Sequence, residues 1–239
     1  MLKKLRKIYS LNFDVNKRKK SDIKFIILHY TGMKNEKQAI SRLISNNSKV
    51  SCHYFIKYSG EILTLVPDLY ISWHAGKSQW EKKKLLNLNS IGIEISNPGH
   101  ENNYKDFNIK QINSLILLVS FLKKKYKIKK SNILGHSDIA PDRKKDPGEK
   151  FPWKLMYKKK LSIWHHKKES TLSNLRNIKC SKKEEAQFYN NLKRIGYNSK
   201  FKINIIKAFQ RRFRQKLVDG KIDKECLFIS ISLSKQNKY

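Results

Sequence analysis

An α/β domain followed by a small all-α unit is what this sequence predicts, and three observations predict it. The run Lys24-Phe25-Ile26-Ile27-Leu28-His29-Tyr30-Thr31-Gly32 is continuously apolar, of strand length and closed by a glycine. Such a run reads as a central strand buried on both faces. A second strand, Ile91–Asn97, alternates strictly and is followed by helical spacing over Ile109–Tyr126. After Lys183 the periodicity is helical only, in short segments broken by Gly196 and by the turn Val218–Asp223.

Composition sets the limits. The chain has 239 residues, enough for one medium domain and a small satellite, and is 39% hydrophobic with 4 Trp, 11 Tyr and 11 Phe. That is enough for a real core, which excludes global disorder. The charge is unusual, with 53 Lys+Arg against 19 Asp+Glu and a net charge of +34. A field of that size draws a protein toward nucleic acid, anionic lipid or acidic wall polymers. The cations are mostly Lys, spread along the whole length among many Asn and Ile, so compositional bias is the preferred explanation. The 3 cysteines, Cys52, Cys180 and Cys226, form no CxxC pair and no even disulfide framework, and they suit a reducing compartment. The basic start carries no apolar stretch of signal-peptide type, and no run approaches the roughly 18 apolar residues of a membrane span. The expectation is a soluble, cytoplasmic, monomeric protein, with a periplasmic location or export by another route as the alternative.

Taken in order, residues 1–20 read as a basic, poorly ordered arm. The strand at 24–32 carries His29 at its C-terminal end, the edge of an α/β sheet where sites gather. A helix is expected over Glu36–Asn46. Segments Ser51–Lys57 and Ile62–Val66 flank Tyr58-Ser59-Gly60-Glu61, a hairpin signature. Trp73-His74-Ala75-Gly76 leads through a polar loop to the strand at 91–97, whose isoleucines take one face while Gly92, Glu94 and Ser96 take the other. Asn97-Pro98-Gly99 ends it. The helix at 109–126 precedes a short strand at Ile133-Leu134. Residues 157–182 read as a Lys-rich linker or peripheral helix. Beyond them, helices are expected over Glu184–Ile195 and Asn204–Phe213, with Asp223 capping a third.

The chemistry concentrates in Gly135-His136-Ser137-Asp138-Ile139-Ala140-Pro141 and the following Asp142–Gly148. An imidazole, His136, and a carboxylate, Asp146, on a loop stiffened by Pro141 and Pro147 are two-thirds of a catalytic zinc site. His29 is the best candidate for the third ligand. Glu94 is placed to move a proton and Lys144 to stabilise an oxyanion. Each has a plainer reading: a hydrogen-bonded core histidine, a solvent-facing glutamate, a surface lysine. Adjacent strand residues point to opposite faces, so Cys52 and His53 make no joint site. Ser137 cannot form a triad with its sequence neighbours, and His165 and His166 read as surface residues.

Five colinear blocks then carry a resemblance over residues 22–156. They are Ile27-Leu28-His29-Tyr30-Thr31, Ser51–Ile56, Trp73–Gly76, Asn89–Glu94, and Gly135–Pro141 continuing through Arg143-Lys144-Lys145-Asp146-Pro147-Gly148 to Phe151-Pro152-Trp153. The chain resembles the zinc-dependent N-acetylmuramoyl-L-alanine amidases of type 2, in the AmpD/AmiD-like branch. The resemblance implies a mixed central β-sheet flanked by helices, one zinc ion on His29, His136 and Asp146, and Glu94 with Lys144 as the catalytic pair. It places His74 and Asn97 along the substrate cleft. It also implies peptidoglycan or (anhydro)muropeptide substrates rather than a specific nucleic acid. The segments Leu192–Tyr197, Ala208–Phe213 and Val218–Asp223 resemble the three-helix peptidoglycan-binding unit of longer members. The expected organisation is therefore an arm (1–20), a catalytic domain (21–156), a linker (157–182) and a binding-like domain (183–239). A non-catalytic recognition module of the same fold is the rival reading.

Overall fold

Strand pairing begins inside the basic arm. The computed structural model describes residues 5–198, 200 and 202–236. Within it β1 (Arg6–Lys7) lies parallel to Leu63–Thr64, and β2 (Phe13–Asp14) lies antiparallel to Ile71–Ser72. Arg18 is buried, its Nε and Nη2 donating to the Asp68 carbonyl at 3.2 and 2.9 Å. The expectation of a poorly ordered arm is corrected over residues 5–20; residues 1–4 lie outside the described residues. Two-residue strands show no periodicity, and Arg18 is buried because backbone carbonyls satisfy its guanidinium.

The continuous apolar run becomes β3 (Phe25–Tyr30), followed by α1 (Glu36–Ile44), whose first turn is capped by the Asn35 side chain. The hairpin is β4 (Tyr54–Ile56) and β5 (Ile62–Thr64), paired antiparallel. Short pieces β6 (Ile71–Ser72), β7 (Gln79–Trp80) and β8 (Lys83–Lys84) lead to β9 (Ser90–Ile95). Then come α2 (Ile109–Lys125), opened by a reciprocal Asn108/Gln111 cap, and β10 (Ile133–Gly135). The six-stranded sheet has the order β1-β5-β4-β9-β3-β10, with β4, β9, β3 and β10 all parallel. It is the mixed, helix-flanked sheet that the resemblance implied.

Both faces of that sheet are covered, which explains the near-total burial of its centre. Tyr54, Ile56 and Ile62 join the main core with Ile91, Ile93, Ile95 and the buried side of α2. Their alternates Phe55 and Leu63 face Ala39 and Leu43 of α1 in a second cluster.

After β10 come the single turn α3 (His136–Ile139), α4 (Trp153–Lys158) and α5 (Glu169–Leu175). The last three helices are α6 (Lys182–Ile195), α7 (Lys202–Phe213) and α8 (Lys224–Ser234). Asp223 caps α8 as expected, its Oδ1 accepting from Cys226 N at 2.8 Å. The segment 157–182 is packed rather than a free tether: Leu161, Ile163, Trp164 and Leu172 are all buried. His165 is buried with them, against expectation, while His166 is exposed.

Candidate metal centre and active site

Three adjacent parallel strands end together, and the site is built on those ends. In the register of β3 with β9, His29 stands opposite Glu94; in that of β3 with β10, Gly135 stands opposite Leu28, which brings His136 beside His29. Ligand sites of open α/β sheets lie at such carboxyl ends. Asp146 comes from the loop after α3, tied back by Ser137 N donating to the Asp146 carbonyl at 2.8 Å. The Tyr104 hydroxyl donates to the next carbonyl, that of Pro147, at 2.6 Å.

The three donor atoms converge. His29 Nδ1 is 2.9 Å from His136 Nδ1 and 3.0 Å from Asp146 Oδ2, and His136 Nδ1 is 3.1 Å from that same oxygen. All three side chains are buried, and they are the one potential metal-ligand cluster among the described residues. Ligand atoms at about 2.0–2.1 Å from one tetrahedral ion stand about 3.3 Å apart, so the triangle is of the right size.

The surrounding hydrogen bonds fix which nitrogens carry protons. His136 Nε2 lies 3.2 Å from the Ala75 carbonyl, which can only accept, so the proton is on Nε2 and Nδ1 offers its lone pair. The His29 tautomer is set through two more groups, Ser90 and His74. The Ser90 hydroxyl donates to the Leu86 carbonyl at 2.6 Å, so it accepts from His74 Nε2 at 3.0 Å. His74 Nδ1 is then an acceptor and takes the His29 Nε2 proton at 3.0 Å, leaving His29 Nδ1 free. Burial and the neighbouring His136 push the His29 pKa down to about 4, and burial with His29 pushes His74 well below its ordinary value. Burial would raise Asp146, but the two imidazoles outweigh it and hold the carboxyl well below the usual range. With the ring protons held on the Nε2 atoms, both Nδ1 lone pairs and the Asp146 carboxylate can be turned on one ion. That arrangement fits a divalent cation, whose ligands must be unprotonated.

Glu94 stands beside this trio with Oε2 enclosed and without a hydrogen-bond partner. Burial, reinforced by Asp146 and opposed by Lys144, raises its pKa well above the ordinary carboxyl value. A carboxyl of raised pKa in a cleft is a candidate for proton transfer. His29, His136, Asp146, Glu94, Lys144 and His74 all line one cleft of about 410 Å³.

A family model described as N-acetylmuramoyl-L-alanine amidase matches residues 19–149, more than half of the chain. The chain belongs to this amidase family. It is 32% identical over 229 residues to the N-acetylmuramoyl-L-alanine amidase AmiD of Escherichia coli K12, covering 88% of this chain and 82% of that one. To the 1,6-anhydro-N-acetylmuramyl-L-alanine amidase AmpD of the same organism it is 38% identical over 105 residues, 44% of this chain and 55% of AmpD. A structure of E. coli AmiD in complex with the substrate anhydro-N-acetylmuramic acid-L-Ala-D-gamma-Glu-L-Lys superposes with a TM-score of 0.79 at 30% identity, over 90% of each chain. AmpDh3 of Pseudomonas aeruginosa, in complex with an anhydromuramic pentapeptide, superposes equally well at 0.79 with 27% identity over 99% of each chain.

In this amidase one expected site residue is displaced from its assigned place. Asn97 is wholly buried; its Nδ2 donates to the Lys105 carbonyl at 2.8 Å and its Oδ1 accepts from Gly99 N at 3.1 Å. Both polar atoms fasten the loop after β9, so Asn97 shapes the site from behind and does not line the cleft. His74 reaches the cleft but is engaged on both nitrogens, behind His29. Glu94 is part-buried, not solvent-facing, because β4 and β3 cover β9 on both sides. Ser90 went unread in the sequence, although it sits in the Asn89–Glu94 block. Its companion signal is Gly92: a Cβ there would lie 2.4 Å from the His74 ring, so only glycine admits the histidine. Trp73 and Arg42 also line the cleft, Arg42 from α1, where nothing local distinguishes it from a surface cation.

Proposed function

We propose that this amidase is a zinc hydrolase acting on peptidoglycan-derived muropeptides. It cleaves the amide between the lactyl carboxyl of N-acetylmuramic acid, or its 1,6-anhydro form, and L-alanine. His29 Nδ1, His136 Nδ1 and Asp146 Oδ2 would hold the ion. In such an open three-ligand site zinc polarises a carbonyl and lowers the pKa of water toward about 7. Glu94 accepts the proton of the water that attacks the lactyl carbonyl carbon. The carbon–oxygen bond forms, the carbon–nitrogen bond breaks, and Glu94 returns the proton to the leaving amine of L-alanine. Lys144, on the cleft wall, balances the negative charge that develops on the carbonyl oxygen. The observation that carries this reading is the enclosed, unpartnered Oε2 of Glu94 beside the converging His29, His136 and Asp146 donors in one cleft. It supports catalysis over the rival recognition module, which would have no use for a buried carboxyl without a partner.

The test is Glu94→Gln. Turnover is expected to fall by about 10²–10⁴-fold, the usual worth of a general base, with bound zinc unchanged. A variant that keeps near-wild-type turnover would remove Glu94 from the mechanism. Residues 183–239 are read as the peptidoglycan-binding-like unit, on the strength of their three helices and the blocks at Leu192–Tyr197 and Ala208–Phe213.

A further inference from the structure

We propose that Arg212, from the C-terminal helical unit, is a positioning residue of the active site that acts on the metal ligand His136 through Asp138. The proposal rests on the metal-site reading above and extends it to a residue about seventy positions away in sequence. Arg212 lies on α7 and is 1% exposed, as is Asp138, two residues beyond His136 on α3. Its Nη1 donates to Asp138 Oδ2 at 2.7 Å and its Nη2 to the Ile133 carbonyl of β10 at 3.1 Å. The guanidinium lies over the Trp153 ring at 4.5 Å. Asp138 Oδ2 also accepts from Gly135 N at 2.8 Å, and Oδ1 accepts the Tyr197 hydroxyl at 2.5 Å. Tyr197 follows α6 and is again C-terminal.

These contacts converge on the backbone just before and just after His136. One guanidinium spans Ile133, the first residue of β10, and Asp138, in the turn that starts with the ligand. Asp138 in turn holds the amide of Gly135, the residue that precedes it. A planar fork can bridge a carboxylate and a carbonyl in fixed geometry, which an ammonium cannot. Because both charges are buried, the pair has to stay closed: opening it strands a charge in the core. The helical unit is therefore part of the device that keeps His136 Nδ1 aimed at the ion. Groups that orient a ligand from behind typically set metal affinity by about 10–100-fold.

The test uses the full chain with Arg212→Lys and Arg212→Met, and Arg214→Met as the control. Arg214 is equally buried, but it bridges Asp219 and Asp223 within the helical unit and does not touch β10 or α3. Zinc affinity is read by competition with a chromogenic chelator, and melting temperature is recorded in parallel. Both Arg212 variants are expected to bind zinc about 10-fold more weakly or worse, while Arg214→Met keeps wild-type affinity at a comparable fall in melting temperature. The same measurement overturns the proposal if folded Arg212→Lys and Arg212→Met hold zinc as wild type does, or if Arg214→Met loses it equally. Failure of the metal reading itself would look different, as a wild-type chain that takes up no zinc. The clamp is then judged by hydrogen exchange at the amides of Gly135, Ser137 and Ala140. Faster exchange in the Arg212 variants but not in Arg214→Met supports it, and unchanged exchange refutes it.

Discussion

His29 can offer Nδ1 because a serine two partners away cannot do anything else with its hydroxyl. Ser90 has the Leu86 carbonyl on one side and His74 Nε2 on the other, and that order passes through His74 to His29. Removing the hydroxyl frees His74 to take either tautomer, and one of them puts a proton where the His29 Nε2–H must donate. Ser90→Ala is expected to weaken zinc binding by about 10-fold with little loss of fold, as measured by chelator competition. Wild-type affinity in that variant would mean that the relay does not set the tautomer. Gly92→Ala is expected to be worse for the same site, because its Cβ would displace the His74 ring from 2.4 Å. That outcome shows as weakened zinc binding together with a lowered melting temperature. At this scale the sequence is informative about the candidate site residues and silent about the groups that hold them. His29, His136, Asp146 and Glu94 stand in recognisable blocks, whereas Asn97 reads as a cleft residue and turns out to hold a loop. The distinction depends on which atoms are already hydrogen-bonded, and no spacing in a sequence records that.

Elements that bury a full face are legible in the sequence, and those that bury one residue or none are not. The strand at 24–32, the hairpin, the helix from Ile109 and the three C-terminal helices all appear close to their expected bounds, because each repeats its pattern long enough to be seen. β1, β2, β7 and β8 are two residues long and have no period at all. The Lys-rich stretch 157–182 looked like a linker since its buried residues, Leu161, Ile163, Trp164 and Leu172, are scattered among lysines whose charged heads reach water. Strand adjacency is the feature with functional weight. β9, β3 and β10 lie side by side although far apart in the chain, and only that order sets Glu94, His29 and His136 in one row.

Across the whole molecule, Asp68 is where the arm, the hairpin and α2 meet. Its carboxylate accepts from the hydroxyls of Tyr54 and Tyr126 at 2.6 Å each and from Lys125 Nζ at 2.8 Å, while its carbonyl holds Arg18. Burial would raise its pKa, but these donors outweigh burial and hold it below the ordinary carboxylate value. A depressed folded-state pKa stabilises the fold above the unfolded value, near 3.9, and that stabilisation is lost as pH falls through the folded value. Thermal unfolding of wild type is therefore expected to weaken below about pH 4 more steeply than that of Asp68→Asn. The variant should be less stable at neutral pH by about 1–3 kcal/mol, the cost of unsatisfied buried partners. Parallel pH profiles for the two proteins would contradict this role. Buried side chains likewise join the helical unit to the His136–Ile139 turn through Arg212, Tyr197 and Asp138. A few of the 53 basic residues, Arg18, Arg212 and Arg214 among them, are buried in such contacts.

The most direct measurement is mass spectrometry of muropeptides and 1,6-anhydro-muropeptides incubated with the full chain, with and without a chelator. A zinc amidase will release free stem peptide beginning at L-alanine, stopped by the chelator and restored by zinc, with the preferred sugar read from the same spectra. Folded, zinc-loaded protein that binds these muropeptides but leaves both kinds intact would contradict this reading and would mark the chain as a recognition module.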